Sequence, residues 1–157
     1  MEDEDYVYID VRTVLEFDAG HPEGAYNVPW LIQTPGTKVP NDAFLAVMKK
    51  TFPLDAKLIV ACQAGGRSAK AAAALVGAGF TGVLDQCAGY GGRKGAFGQT
   101  AEAGWQASGL PVAIEAEAGR SWEALQASLG AASGRAPTRP DTATHPRACR
   151  CEERLPL

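Results

Sequence analysis

A cysteine at a junction between a strand and a helix is the residue in this chain best placed to do chemistry. Cys62 follows a short apolar run, residues 57–61, which predicts a strand buried on both faces of a parallel sheet. The alanine-rich run after it predicts a helix, with Ser68 as its N-cap and Gly79 as a left-handed stop. The N-terminus of a helix and the inward N–H groups of a glycine-containing loop favour an anion, so Cys62 is predicted to be a reactive thiolate.

The segment around Cys62 is one of four that resemble the motifs of a known family. In chain order they are Tyr8-Ile9-Asp10-Val11-Arg12 with Glu16-Phe17, Gly20-His21-Pro22-Glu23-Gly24-Ala25-Tyr26-Asn27-Val28-Pro29, Cys62-Gln63-Ala64-Gly65-Gly66-Arg67-Ser68, and the closing elements Gly79-Phe80-Thr81-Gly82-Val83, Gly89-Tyr90 and Trp105-Gln106-Ala107-Ser108-Gly109-Leu110-Pro111-Val112. Residues 6–113 are thereby similar to the rhodanese-like sulfurtransferases, whose active loop runs Cys-x-x-x-x-Arg and ends at a helix N-terminus.

The resemblance implies covalent catalysis by Cys62, with sulfur as the transferred group. The thiolate attacks a donor such as thiosulfate or a persulfide, and the resulting Cys62 persulfide passes its sulfur to a thiol or to cyanide. No cofactor is expected. The loop that would hold the persulfide consists of Gln63, Ala64, Gly65, Gly66, Arg67 and Ser68. Two alternatives are a persulfide carrier or protein-docking module with little turnover and, less favoured, a phosphatase-like enzyme, whose loop is one residue longer.

Several residues near the loop have open roles. Arg67 either binds a substrate anion or, in the favoured interpretation, turns inward to bond Asp10 or loop carbonyls. Asp10 ends the first predicted strand, where sites in open α/β sheets gather, and it can reach either Arg67 or Arg12. Gln63 and Ala64 occupy positions at which many relatives carry cations, so a neutral or singly charged donor is favoured over thiosulfate.

Residues 91–104 form an insertion relative to the shorter members of the family. The segment is rich in glycine and carries Arg93 and Lys94 near its start. It either folds over Cys62 as a lid that supplies positive charge or forms a solvated excursion at the rim.

Composition limits the remaining possibilities. A net charge of −3 and a pI near 5.4 argue against binding to nucleic acid. No apolar run approaches the length of about 18 residues that spans a bilayer. The acidic N-terminus lacks the order of a signal peptide, which predicts a cytoplasmic protein.

No metal site is predicted, because Cys149, Cys151 and His145 match no well-spaced zinc module. The expected partners are a small sulfur donor, a thiol acceptor and, as a further option, a protein that exchanges persulfide.

The order of elements predicts an α/β fold, in which a parallel sheet carries helices on both faces of a single domain. Relatives carry a strand and a helix before Tyr6, so the domain is expected to be N-terminally abbreviated. It spans residues 1–113, followed by a helical extension over 114–130 and a disordered tail over 131–157. The predicted elements are strands at 6–11, 25–28 and 82–87, helices at 13–19, 41–51, 99–108 and 121–129, and a loop at 34–40.

Overall fold

Four parallel strands form the sheet that carries Cys62. The computed structural model describes residues 6–129, apart from the side chains of residues 100 and 101. Its strands are β1 (Val7–Asp10), β2 (His21–Pro22), β3 (Tyr26–Asn27), β4 (Leu31–Thr34), β5 (Thr37–Pro40), β6 (Lys57–Ala61), β7 (Gly82–Gln86), β8 (Arg93–Lys94), β9 (Thr100–Glu102) and β10 (Val112–Ala113). Its helices are α1 (Val14–Asp18), α2 (Phe44–Thr51), α3 (Gly66–Gly77) and α4 (Trp122–Leu129). The main sheet has the order β3-β1-β6-β7, and each neighbouring pair is parallel.

Both faces of this sheet are covered. Successive residues of β1 and β6 point to opposite faces, so each strand contributes side chains to two core clusters. Ile9, Leu58 and Val60 belong to a core cluster with residues of α2, α3 and α4. Tyr8 and Ile59 belong to a second cluster, with Phe17 of α1, Tyr90 and Trp105. The arrangement confirms the predicted fold class, a parallel sheet with helices on both faces.

Residues beyond the predicted domain boundary at 113 pack against the same core. The helix predicted over 121–129 is present as α4, which contacts α2 and buries Trp122 and Leu125. The segment before it covers the outer edge of β3, where the backbone N–H of Asn27 donates to the carbonyl of Arg120 at 2.9 Å. The predicted disordered tail, residues 131–157, lies outside the described residues.

Two predicted elements are wrong, and long-range pairing explains each. The stretch 34–40 was predicted as a loop, yet Thr37–Pro40 forms β5, an antiparallel partner of β4, with Gly36 (φ +81°) in the turn between them. The stretch 99–108 was predicted as a helix, yet it begins with β9, which pairs with β8. Helix propensity there is a weak preference of tenths of a kcal/mol per residue, which tertiary pairing overrides.

Within residues 6–129, no helix has the length and apolar character needed to cross a membrane.

Candidate active site

Cys62 lies directly after β6, beneath the first turn of α3, and only 2% of it is exposed. The backbone N–H of Gly65 donates to its Sγ at 3.1 Å. The N-terminus of α3 adds its partial positive charge at the same place. The sulfur therefore lies beside groups of partial positive charge, and the reactivity of the Cys62 thiolate stays a prediction.

Gly65 makes this geometry possible. It is the N-cap of α3 and has a left-handed conformation, with φ of +94°. Residues that carry a side chain rarely adopt this conformation. A Cβ at this position would also collide with the carbonyl oxygen of Cys87. The N-cap is thus Gly65, and the predicted N-cap Ser68 instead lies inside the first turn of α3. The prediction was wrong because it looked for an N-cap residue whose side chain accepts a hydrogen bond. The helix instead begins after a glycine with a left-handed backbone conformation.

Ser68 nevertheless belongs to the site. It is fully buried, and its Oγ lies 3.6 Å from the Sγ of Cys62. The same hydroxyl donates to the carbonyl of Gly65 at 3.2 Å.

Asp10 and Arg12 form a buried ion pair beneath the loop. The Nη2 of Arg12 lies 2.8 Å from Oδ2 of Asp10, and Nε lies 3.0 Å from Oδ1. Nη2 also donates to the carbonyl of Gly20 at 2.7 Å, and Nη1 donates to Oε1 of Gln63 at 3.2 Å. The guanidinium carbon lies 4.1 Å from the ring centroid of Tyr90. Of the two partners that the sequence left open for Asp10, the structure shows Arg12.

Arg67 pairs with Glu16 of α1. Its Nη1 and Nη2 lie 2.6 and 2.9 Å from the two carboxylate oxygens. Burial by itself would raise the pKa of Glu16, but the hydrogen bonds from Arg67 and Thr13 and the charge of Arg67 lower it to about 2. The predicted partners of Arg67, Asp10 or loop carbonyls, were wrong. The reason is geometric: Asp10 is already paired, and Arg67 projects from the first turn of α3 toward α1.

Glu16 was missed as a site residue, although the sequence carries a signal for its position. Thr13 and Glu16 form a capping box at the start of α1: the Thr13 backbone N–H donates to the Glu16 carboxylate at 3.0 Å. The Thr-x-x-Glu pattern marks such a box in a sequence. It places Glu16 at a helix N-terminus, but no sequence rule pairs it with a side chain 51 positions away.

The remaining loop residues are exposed, and the insertion begins beside them. Gln63, Ala64 and Gly66 are open to solvent. The backbone N–H groups of Tyr90 and Gly91 donate to the carbonyls of Cys62 and Gln63 at 2.8 and 2.9 Å. The chain that enters the insertion is thus tied to the active loop.

Arg93 and Lys94 lie farther along, on the exposed strand β8 of the hairpin that β8 forms with β9. Whether they act as a lid stays a prediction.

Tyr8 is a further residue that the sequence did not single out. Its hydroxyl donates to Oε1 of Gln86 at 2.6 Å in the buried floor of the site. Burial, with the nearby charges of Asp10 and Cys62, raises its pKa well above the ordinary value, against the opposing charge of Arg12. Tyr8 is therefore a neutral hydrogen-bonding group there.

Over residues 6–129, no cluster of three or more His, Cys, Asp or Glu side chains is placed to hold a metal ion. The tail residues Cys149, Cys151 and His145 lie outside this range. That they form no metal site stays a prediction. The expectation that no cofactor is needed likewise stays a prediction.

Comparison with known proteins agrees with this geometry. Among curated proteins, thiosulfate sulfurtransferase 16 of Arabidopsis thaliana, named as chloroplastic, is 40% identical over 105 residues, covering 67% of this chain and 78% of the relative. Thiosulfate sulfurtransferase 18 of the same plant is 40% identical over 85 residues, 53% of this chain and 62% of the relative. The senescence-associated protein DIN1 of Raphanus sativus is 41% identical, and the chain spans 46% of its length. The compartment of this chain stays a prediction.

Solved structures show the same fold. The crystal structure of Rv0390 from M. tuberculosis matches with a TM-score of 0.55 and 31% identity, covering 71% of this chain and 86% of that one. The family model for the rhodanese-like domain matches residues 1–91 of this chain. Together with the loop that carries Cys62, these matches establish that the chain belongs to the rhodanese-like domain family.

Proposed function

We propose that this protein is a sulfurtransferase that carries sulfur as a persulfide on Cys62. In the first step the Cys62 thiolate attacks the outer sulfur of a donor, a new S–S bond forms on Cys62, and the S–S bond of the donor breaks. A persulfide donor leaves as a thiolate, and thiosulfate leaves as sulfite. In the second step an acceptor thiolate or cyanide attacks the outer sulfur, and Cys62 leaves as a thiolate.

The observation that carries the proposal is the hydrogen bond from the Gly65 backbone N–H to the Cys62 sulfur at 3.1 Å, at the N-terminus of α3. Backbone dipoles held in place before reaction stabilise a developing anion without rearrangement. In this cycle Cys62 reacts as a thiolate at the start of the first step and leaves as a thiolate at the end of the second, and the outer sulfur of the persulfide is anionic between the two steps. The same backbone groups therefore stabilise both the thiolate and the persulfide.

The pairing of the nearby arginines favours a donor of low charge. Arg67 is held by Glu16 and Arg12 is held by Asp10, so neither guanidinium offers a free charge to the mouth of the loop. Within the loop itself, a doubly charged donor or a phosphate ester would meet backbone dipoles and the exposed, neutral side chains of Gln63 and Ala64. We therefore favour a persulfide, whose reacting group carries a single charge, over thiosulfate and over an aryl phosphate.

The experiment is a comparison of three substrates under identical conditions. Turnover of glutathione persulfide with a thiol acceptor, turnover of thiosulfate with cyanide, and hydrolysis of p-nitrophenyl phosphate are measured for the wild type and for Cys62→Ser. We expect kcat/KM to be highest for the persulfide, and we expect the variant to lose it.

Two results would overturn the proposal. Phosphate hydrolysis faster than either sulfur transfer points to a phosphatase. Stoichiometric loading of Cys62 without turnover on any acceptor points to a carrier or docking protein.

A further inference from the structure

An exposed aromatic side chain lies at the tip of the hairpin that follows the active loop. Strands β8 and β9 form this hairpin, and Phe97, in the turn between them, is 94% exposed. The turn has hydrogen bonds of its own: the backbone N–H of Gly95 donates to the carbonyl of Gln99 at 2.7 Å, and that of Phe97 donates to Oε1 of Gln99 at 3.0 Å. Aromatic residues are enriched in protein interfaces, so an aromatic side chain held outward by an ordered turn indicates a surface that binds a partner.

The same hairpin carries positive charge. Arg93 and Lys94 are exposed on β8, and within residues 6–129 neither forms an ion pair. Glu102 lies opposite Arg93 in the register of the hairpin, but its carboxylate is half-buried and does not pair with the guanidinium. The chain as a whole has a net charge of −3. The hairpin is therefore a local positive surface, which favours a partner with acidic side chains.

The hairpin and α1 are joined to the two ends of the active loop. The backbone N–H of Gly91, at the base of the hairpin, donates to the carbonyl of Gln63 at 2.9 Å. The other end of the loop is joined to α1 by the ion pair of Glu16, and the neighbouring Leu15 on that helix is 68% exposed. A partner that contacts both elements lies across Cys62, and contact over such a face takes a surface of protein size.

We propose that the hairpin and α1 bind the protein whose cysteine accepts sulfur from Cys62. The partner is acidic, has an apolar hollow for Phe97 and carries its cysteine on a protruding segment, because Cys62 is only 2% exposed. The thiolate of that cysteine attacks the outer sulfur of the Cys62 persulfide. A new S–S bond forms on the partner, the S–S bond on Cys62 breaks, and Cys62 leaves as a thiolate. The inference rests on the proposed function, which supplies the persulfide.

Binding is tested first, without sulfur transfer. The probes are two fluorescent peptides of equal length with the same apolar residues and with Ser in place of the reactive cysteine. One peptide has Asp and Glu at its charged positions, and the other has Lys and Arg. Their affinities for the full chain are measured by fluorescence anisotropy. We expect the acidic peptide to bind at least about tenfold more tightly, and added salt to reduce that ratio.

Two variants test the hairpin itself. Phe97→Ser removes the aromatic side chain, and the double variant Arg93→Gln with Lys94→Gln removes the charges. We expect each to weaken binding of the acidic peptide about tenfold, the second mainly at low salt. The matched control is Val76→Ser, at an exposed apolar residue near the end of α3 remote from the active loop, which should bind as the wild type does. Equal affinities for the two peptides, or wild-type affinity in Phe97→Ser, would overturn the inference.

Sulfur transfer then distinguishes a binding surface from a lid. Wild type and Phe97→Ser are loaded with sulfur, and the rates of transfer to the acidic peptide in its cysteine form and to mercaptoethanol are compared. We expect Phe97→Ser to lower the ratio of the peptide rate to the mercaptoethanol rate about tenfold. An unchanged ratio with both rates lowered would indicate a lid and overturn the inference. Peptide binding without any sulfur transfer would instead count against the proposed function alone.

Two other occupants of this surface give different results. Sedimentation of the protein with phosphatidylserine vesicles, lost in Phe97→Ser, would indicate a membrane surface. Self-association lost in the same variant would indicate a second copy of this chain. Either result would overturn the inference.

Discussion

Replacing Glu16 by Gln removes one charge from the ion pair with Arg67. The amide of Gln keeps the length of the side chain and can still accept the hydrogen bond from Thr13 that caps α1. The change therefore isolates the charge of the pair. A pKa lowered from 4.5 to about 2 corresponds to about 3 kcal/mol of interaction with the ionised form.

That figure is an upper limit, because water reaches both partners. The side chains of Arg67 and Glu16 are 20% and 29% exposed. Solvent screening reduces partly exposed pairs strongly, so we expect Glu16→Gln to lower the free energy of unfolding by about 1–2 kcal/mol at pH 7. Lys38, whose Nζ lies 3.9 Å from the same carboxylate, adds little to this value.

The assay is equilibrium unfolding in urea, followed by tryptophan fluorescence, at several pH values. The folded-state pKa of Glu16 lies below its ordinary value, so the contribution is complete above about pH 4.5. It is lost as the pH falls from about 4.5 to about 2, and the difference between wild type and Glu16→Gln should shrink over that range. The control is Glu23→Gln, at an exposed position. Equal urea midpoints for Glu16→Gln and the wild type at pH 7, or a difference that does not depend on pH, would refute the reasoning.

Three further tests concern the loop, the extension and the buried pair. Gly65→Ala should lower the free energy of unfolding by at least about 1–2 kcal/mol because of its left-handed backbone, whereas Gly66→Ala, with open space around it, should leave it unchanged or raise it in the same urea titration. Trp122→Ala should cost about 3–5 kcal/mol if α4 belongs to the core; a change below 1 kcal/mol would contradict this. Arg12→Gln leaves a buried carboxylate unpaired and should cost about 3–5 kcal/mol, and adding Asp10→Asn should restore part of that loss in a double-mutant cycle.

The local features of the fold could be predicted from the sequence, because each leaves a mark within a few residues. The apolar run at 57–61 became β6, and Gly79 ends α3 with φ of +105°. The amphipathic stretch with Trp122 and Leu125 became α4. In each case spacing and glycine conformation, which are local properties, determine the structure.

Features that depend on distant parts of the chain were missed. The pairing of Arg67 with Glu16 joins residues 51 positions apart, and nothing local to either residue specifies it. The hairpin of β8 and β9 replaced a predicted helix because pairing across the turn outweighed the propensity of each residue.

The most direct test of the proposed function is the intact mass of the purified protein after exposure to glutathione persulfide. The wild type should gain the mass of one sulfur atom, cyanide should remove it, and Cys62→Ser should gain none at that site. A folded wild type that takes up no sulfur, or a Cys62→Ser variant that takes up as much as the wild type, would contradict a persulfide on Cys62.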